Sequence, residues 1–170
     1  MKTFVFVCNH ERTISWNFIA KKIKILNKNI NIIAIVYDEM ASKLVDSNVY
    51  NDVIYLNKND FVKNNPVFLN DLDFIKIKKK DRKLRFDSNE SAIIFLKNIA
   101  NLIEFKFNNL DKIVFFGEIS WAIEELLFLY SKKRSFDYFT IITTRYINRR
   151  WAVVKNNTEE RLIKLVSNIE

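Results

Sequence analysis

The chain has 170 residues, 49% of them hydrophobic, enough apolar material for one globular domain whose core needs no cross-links. Its 28 Lys and Arg against 20 Asp and Glu give a net charge of +8, which favours acidic partners, although Lys, Asn and Ile abound together as AT-rich coding alone would produce. The single glycine, Gly117, excludes Gly-rich phosphate loops and a Gly-flanked nucleophile elbow; the single cysteine, Cys8, excludes an internal disulfide; the single histidine, His10, excludes multi-histidine metal sites.

Residues 3–8 are β-branched and aromatic without polar alternation, the pattern of a strand buried on both faces. This apolar stretch is too short for a secretory signal and lacks a small-residue cleavage site, so the cytoplasm is the expected compartment. No uninterrupted apolar run approaches the roughly 20 residues that span a bilayer, and any membrane contact is expected to be peripheral, at the inner membrane. A helix is predicted over 13–27, with Ile19, Ile23 and Leu26 on one face and Lys21, Lys22 and Lys24 largely off it. A second strand, Ile30 to Tyr37, ends at Asp38-Glu39 before a short helical stretch at 39–47, and residues 53–56 form a third strand. Strand, helix, strand, helix, strand is the order of a parallel sheet with crossovers.

Residues 57–87 interrupt this rhythm with the only proline, Pro66, and the basic run Lys76–Arg85, and are expected to be an irregular or partly helical insertion. Asp87 with Glu90 resembles a capping box for a helix striped by Phe95, Ile99 and Leu102. The alternation then resumes: a fourth strand at 113–116, a helix at 120–133, a fifth strand at 139–143 and a short extension at 151–155. Thr158 is predicted to cap a final helix with Leu162, Leu165, Val166 and Ile169 on one side. The whole reads as an α/β fold: a Rossmann-like open, mostly parallel sheet of about five to six strands flanked by helices. It forms one domain over 1–170, compatible with the first half of a two-domain protein.

Ligands of open α/β sheets bind beyond the carboxyl ends of the strands, which singles out Asn9–Arg12, Asp38-Glu39, Gly117–Trp121 and Thr143–Trp151. Gly117 is read as a position where a missing side chain leaves room for a ligand beside Glu118. Glu118, at a helix N-terminus among aromatics, suits a general base or an acceptor for sugar hydroxyls; the plainer reading is interaction with the helix dipole or a nearby arginine. Trp121 suits rim packing or sugar stacking, and Glu124 and Glu125 read most simply as helix surface. Arg145, Arg149 and Arg150, punctuated by Tyr146, Asn148 and Trp151, suit bidentate binding of phosphate or carboxylate, or bracing of the loop. His10 is either an acid–base group or a polar turn residue, and Cys8 a small core residue. The Lys76–Arg85 run, with Phe74, Ile75 and Phe86 as apolar anchors, is a candidate contact for phosphates or a membrane surface, or simply a solvated loop. Charge alone points to nucleic acid, so no specific nucleic-acid partner is expected. Asp38, Glu39 and Glu118 leave open a carboxylate–metal phosphoesterase.

The segment Gly117-Glu118-Ile119-Ser120-Trp121-Ala122-Ile123-Glu124, followed by Thr144-Arg145-Tyr146-Ile147-Asn148-Arg149-Arg150-Trp151, resembles the N-terminal half of bacterial capsular and surface polysaccharide glycosyltransferases of the two-Rossmann (GT-B) type. The order of elements over 1–155 agrees with that resemblance. It implies an acceptor-binding domain for a glycan or glycolipid, partnered by a C-terminal donor-binding domain or subunit, with a nucleotide sugar as donor and no resident cofactor or metal. It also implies Glu118 as a catalytic or acceptor-contacting carboxylate and Arg145, Asn148 and Arg149 as ligand or loop-organising residues; beside these, the strand-end reading offers His10 as the other candidate base and Gly117, Trp121 and Arg12 as further substrate-binding residues. Two departures stand out: the first strand lacks the glycine frequent in such N-terminal loops, and no second domain follows within these 170 residues. Complete transfer by this chain alone is therefore not expected. The rival expectation is a noncatalytic basic module that binds anionic lipid or nucleic acid through Lys76–Arg85 and Arg145–Arg150.

Overall fold

A computed structural model describes residues 1–56, 69–80, 88–118, 121–143, 151–155 and 162–165. Five strands, β1 (Lys2–Cys8), β2 (Ile30–Val36), β3 (Asp52–Tyr55), β4 (Ile113–Phe116) and β5 (Asp137–Thr143), run parallel in the order β3-β2-β1-β4-β5. This is the Rossmann-like α/β arrangement that the alternating apolar runs predict. Two further strands, β6 (Trp151–Lys155) and β7 (Leu162–Leu165), extend the sheet antiparallel beyond β5.

Helices cover both faces. On one lie α1 (Arg12–Leu26) and α2 (Glu39–Leu44), whose Trp16, Ala20 and Ala41 join Phe6, Cys8, Ile32 and Ala34 in one core cluster. On the other lie α3 (Asp71–Lys79), α4 (Asn89–Phe107) and α5 (Ala122–Lys133), packed over Val5, Val7, Ile33, Ile35 and Phe115. Alternate residues of β1 therefore serve opposite cores, and because both faces are covered the strand shows no polar alternation. Aromatic rings fill the centre: Phe6 stacks on Phe116 with centroids 4.8 Å apart, and Phe115 stacks on Tyr138 at 6.1 Å.

The structure corrects several local expectations. The segment Leu162–Leu165 forms β7, not part of a final helix; its register includes Ala152↔Leu165 and Val154↔Leu162. A four-residue segment carries no decisive period, and antiparallel pairing with the edge of β6 settles it as a strand; Thr158 and 166–169 lie outside the described residues. The cap of α4 is Ser88 with Ser91, one residue beyond the predicted Asp87–Glu90 pair. Each hydroxyl oxygen accepts from the other serine's backbone N–H, so two serines form the reciprocal box.

In α1 the buried line is Thr13, Trp16 and Ala20, with Ile19 and Ile23 at its edge, while Leu26 is exposed. Within the basic insertion, α3 occupies 71–79, and Phe74 is buried in the core, which removes it as a membrane anchor. Lys76, Lys78 and Lys79 occupy the last turn of α3, where cations complement the helix dipole, and Lys80 pairs with Glu125 at 2.9 Å. Residues 57–68 and 81–87 lie outside the described residues. No helix among the described residues is long and apolar enough to cross a membrane.

Candidate functional site

The site follows from register. Phe6 pairs with Phe116, so the chains leaving β1 and β4 emerge side by side at the carboxyl edge, at the point where strand order reverses. There they enclose a cleft of about 480 Å³ lined by Asn9, His10, Glu11, Arg12, Met40, Glu118 and Trp121. Of the residues expected at the site, His10, Arg12, Glu118 and Trp121 thus come together. Arg145, Asn148 and Arg149 lie outside the described residues.

His10 adopts φ 39°, the left-handed region that a glycine would ordinarily occupy. For another residue this costs roughly 1–2 kcal/mol. The turn is tied to the next loop: the His10 backbone N–H donates to Asp38 Oδ2 at 2.9 Å, and its Nδ1 lies 3.6 Å from Asp38 Oδ1, an ion-pair separation when the ring is protonated. Asp38 in turn caps α2 by accepting from the Ala41 N–H at 2.8 Å. One carboxylate therefore fixes the geometry of two strand-end loops, and His10 stands edge-on to Trp121, centroids 6.5 Å apart.

Arg12 Nη1 pairs with Glu118 Oε1 across the cleft. Burial lowers the Arg12 guanidinium from its ordinary value, and the charge of Glu124 opposes that shift. The arginine-pairing alternative for Glu118 is the observed one. Beneath the cleft, Glu124 is fully buried and accepts from Asn9 Nδ2 at 2.5 Å and from the Tyr37 hydroxyl at 3.3 Å. Burial and the neighbouring Glu124 charge push the Tyr37 hydroxyl far up, so it stays protonated and donates. This corrects the placement of Glu124 on the helix surface. Its signal is present in the sequence, since Leu127 and Ser131 follow at i+3 and i+7 on the same face of α5 and are buried with it. Asn9, Tyr37 and Met40 carry no motif that marks them.

Gly117 is explained differently from expectation. Its φ is not positive, and a Cβ there would lie 2.5 Å from the Tyr138 hydroxyl oxygen and 3.1 Å from Val7 Cβ. The space beside the backbone is filled by protein, because the Tyr138 hydroxyl donates to the Glu118 carbonyl oxygen at 2.9 Å. Glycine is needed there for close packing of β4 on β1 and β5, not to admit a ligand. Cys8 is buried, and that burial pushes its thiol up to about 12, as suits a core residue. Asp38, Glu39 and Glu118 do not assemble a metal site. Each is engaged separately, with His10, Lys43 and Arg12, and no three His, Cys, Asp or Glu among the described residues gather to hold an ion.

The cleft thus offers a titratable imidazole, a paired guanidinium and carboxylate, and an indole over a floor of buried polar groups. That mixture sets ion-pairing and hydrogen-bonding groups beside the apolar surface of Met40 and Trp121. Compared with models of known protein families and with curated proteins, the chain matches none.

Proposed function

We propose that this chain is the acceptor-binding domain of a glycosyltransferase in bacterial surface-polysaccharide biosynthesis, with the acceptor seated in the cleft between the β1 and β4 loops. The observation that carries the reading is His10, held at positive φ by Asp38 in the same cleft as Trp121 and the Arg12–Glu118 pair. Strained backbone concentrates at functional sites, and here it places the only histidine at the strand edge where ligands bind.

In this reading His10 accepts the proton of the acceptor hydroxyl. The acceptor oxygen bonds to the anomeric carbon of the donor sugar, and the bond from that carbon to the nucleotide diphosphate breaks, its electron pair leaving with the phosphate. Asp38 stabilises the imidazolium that forms. Glu118, engaged by Arg12, serves as an acceptor for sugar hydroxyls in place of the base, and the Trp121 indole offers its face to the sugar ring. Arg145, Asn148 and Arg149 retain their proposed role of holding an anionic group, and the donor is left to a second domain or subunit.

Titrating the 170-residue chain with hexoses, N-acetylhexosamines and short polysaccharide fragments, followed by NMR, tests the reading. Sugars are expected to shift the His10 and Trp121 signals, and Trp121→Ala to weaken binding by roughly tenfold or more. Shifts produced only by heparin or oligonucleotides, and lost steeply with salt, would replace it with the basic binding module.

A further inference from the structure

The outer side of α1 is built the wrong way round for a helix that faces water. Counting about 100° per residue, Ile14, Phe18 and Ile25 fall within about 40° of one another, directly opposite the buried line of Thr13, Trp16 and Ala20. They are 58%, 58% and 65% exposed, and Leu26 at the helix end is 85% exposed. Scattered exposed apolar residues are ordinary, but an aligned row of large ones along a helix about 22 Å long is an interaction surface.

Charge identifies what it meets. From Arg12 to Tyr37 the chain carries Arg12, Lys21, Lys22, Lys24 and Lys28 and no Asp or Glu. Lys21 and Lys22 are exposed and flank the apolar row on either side, and the Lys22 ammonium lies 5.5 Å from the centre of the Phe18 ring. Lys24 is held back by the Val49 carbonyl oxygen at 2.9 Å and braces the helix against the loop before β3. An apolar ridge rimmed by cations, on a helix that cannot span a bilayer, matches an anionic lipid surface: side chains enter the acyl boundary while lysines reach the headgroups.

We propose that the outer face of α1 docks this protein on anionic membranes through Ile14, Phe18, Ile25 and Leu26, with Lys21, Lys22 and Lys28 against lipid phosphates. This surface lies on the opposite side of the sheet from α3 and its lysines. It also stands apart from the transferase reading, because docking needs neither donor nor acceptor.

The test is flotation with phosphatidylglycerol–phosphatidylcholine vesicles and with pure phosphatidylcholine vesicles. The wild-type chain is expected to float with the anionic vesicles only. Phe18→Ser with Ile25→Ser, and separately Lys21→Glu with Lys22→Glu, are expected to reduce that binding by roughly tenfold or more, with unchanged circular dichroism because the side chains are exposed. Lys76→Glu with Lys79→Glu is expected to leave it intact. Absence of flotation by the wild type, equal binding to neutral vesicles, or loss of binding only in the α3 variant overturns the proposal. So does a sedimentation-velocity dimer that Phe18→Ser with Ile25→Ser dissolves, which would assign the ridge to a second copy of the chain.

Discussion

Among the described residues, three helices close one face of the sheet and two the other, and the exposed apolar row is longer on α1 (Ile14, Phe18, Ile25) than on α4 (Ile94, Phe105). Over the first face, α4 alone buries Phe95, Leu96, Ile99, Ala100, Ile103 and Phe107, and the rings of Phe107, Phe115, Tyr130 and Tyr138 meet edge-on or stacked. Over the second, α1 reaches the sheet through Trp16 flanked by the small Thr13 and Ala20, and its remaining large apolar residues point partly or wholly outward. The first face holds the domain together, whereas the second combines adequate burial with a surface unsuited to water. Apolar content is therefore an ambiguous guide to core, since the same residue types are buried at Phe95, Ile99 and Ile103 of α4 and exposed at Ile14, Phe18 and Ile25 of α1.

The contrast is most sharply broken at Phe115, which is fully buried among the rings of Phe107, Tyr130, Phe136 and Tyr138. Phe115→Ala is expected to cost about 3–5 kcal/mol in chemical denaturation, whereas Phe18→Ser on the outer side of α1 should fall within about 0.5 kcal/mol of wild type. Equal losses would mean that α1 is as embedded as α4.

A smaller effect belongs at the junction of the two faces. Gly117→Ala is expected to cost about 1–3 kcal/mol by overpacking against Tyr138 and Val7. Part of that cost should vanish when Gly117→Ala is measured in a Tyr138→Phe background, because the hydroxyl oxygen is the nearest obstacle. A cost unchanged by Tyr138→Phe would place the conflict at Val7.

The subtlest probe is chemical. Cys8 lies on the α1 side, with a thiol raised from 9.0 to about 12 by burial, so Ellman's reagent at pH 8 should label it only when the whole domain unfolds. The sign for stability follows: the folded state holds the proton more tightly, so this contribution is complete below about 9 and is lost as pH rises towards about 12. Labelling should accelerate in Phe115→Ala and stay unchanged in Phe18→Ser, and rapid labelling of the wild type would contradict the burial.

Much of the candidate site is legible from topology alone. Once β1 and β4 are recognised as strands, the rule that ligands gather at carboxyl ends points to His10, Arg12, Glu118 and Trp121 before any contact is seen. What that rule cannot supply is pairing. Glu118 reads equally well as a free base until Arg12 is found on it, and Glu124 reads as a surface carboxylate until Asn9, 115 residues away in the chain, is found donating to it. The capping serines of α4 and the strand at 162–165 escape the sequence pattern for a related reason, since one-residue shifts and four-residue segments lie below the resolution of periodicity.

By itself the sequence determined the order of β1 to β5 and their parallel sheet, because runs buried on both faces must alternate with helices that cover them, and the absence of glycine-rich loops ruled out whole classes of phosphate binding. Only the tertiary structure decided which face of α1 is inside, why position 117 must be glycine, and which groups meet Glu118 and Glu124. Those outcomes depend on neighbours brought together across the sheet, and local spacing holds no record of them.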